Sequence, residues 1–201
     1  MKLRITYNAP VVLTFALGAV VAFIIMQVVP AAREWFVSYP HLDGIHSYIG
    51  LFSHILGHAS WEHLISNFML ILLIGPILEE RHGSFGLLLM ILGTALVTGL
   101  ANLALGSNMV LGASGVAFMM ILLASMANVR SGEIPLSFIA VALIYMGGEV
   151  MRSFNNDQVS HMAHLVGGSV GAAFGFLGAR ARKPAAAKKA TKAVDVRKLP
   201  I

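Results

Sequence analysis

Ser114 stands between glycines in Gly112-Ala113-Ser114-Gly115, at the start of a strongly apolar stretch, and His164 lies fifty residues later inside a second one. A hydroxyl and an imidazole are the two halves of an acyl-transfer site. Neither belongs in hydrocarbon, where a polar side chain is costly and marks either function or a satisfied bond between helices. If the two face each other, they form a hydrolytic site within a membrane.

Each motif also has a plainer reading. Residues 106–111 read as a loop that dips, followed by glycines that permit close approach and unusual backbone angles. A serine in the first helical turn lies beside N–H groups that have no intrahelical acceptor, and with the helix dipole these favour a developing negative charge. The plainer alternative is an N-capping serine with helix-packing glycines. His164 belongs to His161-Met162-Ala163-His164 and is followed by Gly167, Gly171 and Gly175. Glycines at four-residue spacing make one smooth face, and His164, three residues before Gly167, points nearly the same way. The alternative is a packing helix with a hydrogen-bonded histidine. His161 is expected nearer the membrane edge and solvated.

A third group is His54, His58, His63 and Asn67. His63 and Asn67 are four apart and share a helix face. The same spacing in His54 and His58 would suit a helical metal pair, so a six-span transporter with a histidine metal site is an alternative. Against it, the spans hold few carboxylates to balance a divalent cation: Glu62, at the very start of one, and Glu149.

The elements that must position these residues are membrane helices. Of 201 residues, 57% are hydrophobic and 11% charged, well below the quarter usual for soluble domains. Mean hydropathy is +0.80. There is no cysteine, which excludes disulfides and thiolate metal sites. A net charge of +5 could suggest nucleic acid, but the basic residues sit at the two ends and in short loops, so no nucleic-acid partner is expected.

A span needs about 20 apolar residues. Residues 10–29, 61–78, 84–105, 113–129, 135–151 and 159–179 qualify, giving six helices and an all-α membrane protein. With both termini inside, twelve of the fourteen Lys and Arg are cytoplasmic, and only Arg33 and Arg152 lie outside. That sets an N-in, C-in topology. The organisation expected is a cytoplasmic N-terminus (1–9), a helical domain (10–179, first loop 30–60) and a basic, disordered cytoplasmic tail (180–201). Lys2, Arg4 and Pro30-Ala31-Ala32 could instead mark a signal peptide, but the apolar segment is longer than the usual 7–15 residues.

Together these residues resemble the rhomboid family of intramembrane serine proteases. The resemblance rests on His63-Leu64-Ile65-Ser66-Asn67, Gly112-Ala113-Ser114-Gly115 and Ala163-His164-Leu165-Val166-Gly167 with Gly171, in that order on a six-span frame. Glu79-Glu80-Arg81-His82-Gly83-Ser84 is similar to the family's acidic-basic-glycine turn between the second and third spans. The resemblance implies a six-helix rhomboid-like bundle that cleaves transmembrane segments of membrane proteins through an acyl-enzyme. It implies Ser114 as nucleophile and His164 as general base, a dyad without an orienting carboxylate. It implies His63, Asn67 and the Ser114 N–H as oxyanion donors, and Phe118 packed on the imidazole, with Gly112, Gly115, Gly167 and Gly171 in support. His54 and His58 resemble structural histidines of the first loop.

Phe118 stands where the family commonly has tyrosine, and residues 47–52 lack the family's Trp-Arg pair. No cofactor and no metal are implied. The expected partners are transmembrane protein substrates and the lipid bilayer, and the expected location is the bacterial inner membrane. The remaining alternative is a non-catalytic rhomboid-like protein that binds membrane helices. Residues 30–60, with Trp35, Phe36, Tyr39 and Tyr48, are expected as an interfacial aromatic shelf. The fifth span, with Gly147-Gly148, is expected as a moving gate.

Overall fold

The computed structural model describes residues 4–106, 108–126, 134–152 and 161–181. The segments between the expected spans at 130–133 and 153–158, and the tail beyond 181, lie outside the described residues. Those described are helical, apart from loops and one isolated bridge between Ser38 and Val110. The order is α1 (Pro10–Val28), a 3-10 helix (Pro30–Phe36), α2 (Ile45–Ser53), α3 (Trp61–His82), α4 (Ser84–Leu105), α5 (Ser114–Ser125), α6 (Leu136–Arg152) and α7 (His161–Ala181). Helices α1, α3 and α4 are long and apolar enough to cross a membrane, and α5 and α6 include shorter apolar helices.

Local sequence explains most boundaries. Pro10 opens α1, where its missing N–H costs nothing, and Val29 precedes Pro30, which disfavours further helix. Ser60 caps α3 by accepting the His63 N–H at 3.2 Å. Gly83 ends α3 with φ +75°, a backbone conformation suited to glycine. The second span therefore runs a turn past the expected residue 78. The cause is Glu79, buried at 4% exposure. Its carboxylate accepts the Val11 and Val12 N–H groups at 3.0 Å each and the Ser84 hydroxyl at 2.7 Å. Those two N–H groups lie in the first turn of α1, where no intrahelical acceptor exists. A carboxylate on α3 thus caps α1, and the acidic-basic segment belongs to the helix rather than to a turn.

Helix α5 is apolar all round, the signature of a helix inside a bundle. Val116, Ala117, Met119, Met120, Leu122 and Leu123 are each 2% exposed or less. Its closest neighbour is α7. A Cβ at Gly167 would collide with the Gly115 backbone, and one at Gly171 with the Met119 backbone. Large apolar side chains such as Leu17 and Val21 on α1, Leu73 and Ile77 on α3 and Phe85 on α4 are exposed on the outside, as lipid-facing residues are.

The first loop is folded, and α4 holds it. Asn102 donates to the Ser38 carbonyl at 3.1 Å, and His54 Nε2 lies 3.2 Å from the Thr98 hydroxyl. A Cβ at Gly99 would sit 2.8 Å from the Leu51 carbonyl oxygen, so glycine allows α2 to rest on α4. Trp35 and Tyr48 are exposed, and Phe36 and Tyr39 are half-buried.

Glu79→Ala should strip two backbone N–H groups and a hydroxyl of their partner. The expected loss is about 2–3 kcal/mol, read as a lower unfolding midpoint in detergent.

Candidate functional site

Ser114, His164, His63, Asn67 and Phe118 all line one cavity of about 420 Å³. They come from three helices, α3, α5 and α7. Met109, Val110 and Leu111 form another wall, and Val110 is held there by paired backbone bonds to Ser38 of 2.8 and 3.0 Å. The loop before α5 is pinned at Val110 to the first loop and at Gly112, whose N–H donates to the His54 carbonyl at 2.9 Å.

Gly112 has φ +129°, and a Cβ there would lie 2.7 Å from the His63 imidazole. Glycine is required at this position for both backbone and space. Gly115 faces Thr98 and the Ala163 carbonyl, each 3.2 Å from where a Cβ would be. Ser114 opens α5, so its hydroxyl stands among first-turn N–H groups.

His58 organises the opposite wall. It is fully buried at 0% exposure. Its Nδ1 lies 3.2 Å from the Leu56 carbonyl, and so carries the proton. Its Nε2 then accepts from the Asn67 amide at 3.1 Å and from the Ala113 N–H at 3.3 Å. These bonds orient the Asn67 amide with its nitrogen toward His58, leaving a second N–H for the cavity. His54 and His58 are not a helical metal pair, because α2 ends at Ser53 and each imidazole is bonded separately.

Phe118, one turn after Ser114, stacks on His164 with ring centroids 4.4 Å apart and planes 6° from parallel. A further partner of His164 is absent from the sequence-based expectation. Glu149 on α6 is 2% exposed, and its Oε2 lies 2.8 Å from His164 Nδ1 and 2.7 Å from His161 Nδ1. This corrects two expectations. His161 is buried at 8% exposure rather than solvated, because its imidazole turns inward to the carboxylate. The imidazole of His164 does have a carboxylate partner, supplied by the preceding helix. A lone acidic residue within an apolar stretch was the available signal.

Glu149, His161 and His164 are also metal-ligand types, with ligand atoms all within 4.8 Å of one another. Two ligands of one tetrahedral zinc at about 2.05 Å would stand about 3.3 Å apart. The carboxylate oxygen is closer than that to both nitrogens, at direct hydrogen-bond distance. The arrangement fits a proton-linked triad better than a metal shell.

Comparison with known proteins gives concordant results. The Rhomboid domain family model matches residues 45–181. Rhomboid-related protein 1 of Caenorhabditis elegans is 29% identical over 136 residues, covering 62% of this chain and 38% of that protein. Rhomboid-like protein 11, chloroplastic, of Arabidopsis thaliana is 30% identical over 130 residues, covering 57% of this chain and 46% of that protein. The chain thus spans less than half the length of either relative.

Burial holds the two loop histidines neutral and lowers each to about 4, with backbone acceptors partly opposing it. For His58 the nearby His63 lowers it further. An unfolded histidine titrates near 6.5, so the unfolded chain takes up protons first. Stability should be full above about pH 6.5 and decline as pH falls toward 4, by about 3 kcal/mol for His54. Unfolding in detergent across that range checks this, and His54→Gln should flatten the decline.

Proposed function

The chain belongs to the rhomboid family, and we propose that it is an intramembrane serine endopeptidase with Ser114 as nucleophile and His164 as general base. The observation that carries this reading is the convergence of Ser114, His164, His63 and Asn67 on one cavity, with Phe118 stacked on the imidazole. The protein is a multi-pass membrane protein. The six helices α1, α3, α4, α5, α6 and α7 are its proposed spans, with both termini inside by the distribution of Lys and Arg. The domain proposed is residues 10–179. The relatives come from a nematode and, by name, a chloroplast, so they lend no support to the bacterial inner membrane in particular.

His164 takes the Ser114 proton as the hydroxyl oxygen attacks the scissile carbonyl. The negative charge that develops on that carbonyl oxygen is met by Asn67, His63 and the Ser114 N–H. His164 then returns the proton to the leaving amine, and water releases the acyl-enzyme by the reverse steps. The substrates are transmembrane segments. A segment in regular helix has its carbonyls bonded internally, so it must unwind at the cut, which favours small or helix-breaking residues there. The apolar walls at Leu111 and Ala117 suit a small side chain beside the reacting carbonyl. Helix α6, with Gly147-Gly148, is the proposed gate for entry.

Against a histidine transporter, the imidazoles of His54 and His58 are engaged in bonds within the protein. The helix-binding alternative explains neither a serine at a helix N-terminus nor a ring plate on an imidazole.

Ser114→Ala should abolish cleavage of a model transmembrane substrate and labelling by a fluorophosphonate, while the unfolding midpoint stays put. His164→Ala should do the same, and full cleavage by either variant would sink the assignment. Asn67→Ala should lower kcat by about a hundredfold, in line with other single oxyanion donors, measured against the intact chain in the same detergent.

A further inference from the structure

Glu149 is a carboxylate buried in the apolar helix α6, at 2% exposure. Burial of such a group is expensive unless it is fully bonded. Here one oxygen, Oε2, meets two imidazole nitrogens, His161 Nδ1 at 2.7 Å and His164 Nδ1 at 2.8 Å. Both separations fall in the range of charge-assisted N–H···O bonds. Read as a carboxylate, Glu149 only accepts, which puts the proton of each imidazole on Nδ1. His164 then has its proton on Nδ1 and a lone pair on Nε2, the tautomer that a base needs in order to take a proton from a hydroxyl.

We propose that Glu149 is a positioning residue for His164, holding the imidazole in its Nδ1–H tautomer so that Nε2 is the base, with His161 as the second donor that locks the carboxylate. The proposal rests on the reading of His164 as general base. It makes the site a Ser114–His164–Glu149 triad, with the acid supplied from a different helix than the base. Orientation comes from two directions. Glu149 holds the ring edge, and Phe118 holds the ring face at 4.4 Å. During proton transfer, the proton leaves the Ser114 hydroxyl for Nε2. Glu149 stays ionised and faces the imidazolium that results, without itself taking the proton.

The arrangement also links the chemistry to α6. His161 and His164 are both on α7, so Glu149 is a polar tie between α6 and the base.

A bond that merely joined two helices would leave the proton position on His164 immaterial, and this separates the two roles. Nitrogen-15 NMR of the histidine-labelled wild type in detergent, with His164 assigned by difference from His164→Ala, should show the Nδ1–H form. An Nε2–H form would overturn the proposal without any substitution at Glu149. Glu149→Gln keeps the shape but can turn a donor toward Nδ1. It should lower kcat by at least about a hundredfold with KM unchanged, and Glu149→Asp should recover part of the loss. A Gln variant with kcat within twofold of wild type, alongside an inactive Ser114→Ala, would reject Glu149 and leave the dyad standing. Activity in Ser114→Ala would instead reject the dyad. Loss of wild-type activity on chelation, restored by zinc, would assign the cluster to a metal and overturn the proposal.

Discussion

The backbone of α5 lies directly on α7, and the rest of the site depends on that contact. Gly167 and Gly171 present no side chain toward α5, and a Cβ at either would overlap the backbone of Gly115 or Met119. Between membrane helices, lipid is as apolar as leucine, so association relies on close van der Waals packing and interhelical bonds. Glycines at four-residue spacing maximise that packing. The same approach carries His164, one turn before Gly167, to the cavity that Ser114 lines, and lets Phe118 of α5 lie flat on its ring. A bulkier residue on this seam would separate hydroxyl and imidazole together with the helices.

Such a molecule must also house a polar site without stranding polar atoms. No buried side-chain nitrogen or oxygen among the described residues lacks a partner. Glu79 accepts the orphan N–H groups at the start of α1, and Thr98 and Asn102 receive the first loop. His58 accepts two donors with one nitrogen and so orients Asn67 and the chain just before Ser114. In a low-dielectric interior each of these bonds is stronger than in water, and each unmade one would cost correspondingly more. The network that makes the interior tolerable is thus the network that aims the cavity's donors.

Much of this is legible in the sequence. Hydropathy located the long helices α1, α3 and α4, because span length is a one-dimensional property. The order of the His63, Ser114 and His164 motifs indicated the family, and the glycine face of α7 was visible as a period. Four readings differ from the structure for a common reason, the first being that His164 lacks a carboxylate partner, which Glu149 on α6 supplies. His161 was placed by its distance from the end of a span, whereas burial depends on which way its ring turns. The turn expected at residues 79–83 belongs largely to α3, because Glu79 has a distant partner at the start of α1. The His54 and His58 spacing suggested one helix, but the chain leaves the helix at Ser53.

By itself, the sequence determined the membrane-helical class, the candidate nucleophile and base, and the smooth face between their helices. Each follows from residue type, run length or a period of about 3.6, properties that neighbours along the chain settle. Only the tertiary structure decided that the first loop is held against α4, that His58 orients Asn67, and that Glu149 serves both histidines. Those pairings join residues on separate elements, such as Glu149 and His164, fifteen positions apart on α6 and α7. A helical period says which way a side chain points, but not which helix it meets. That choice is made when the helices pack and every buried polar group must find a partner at once.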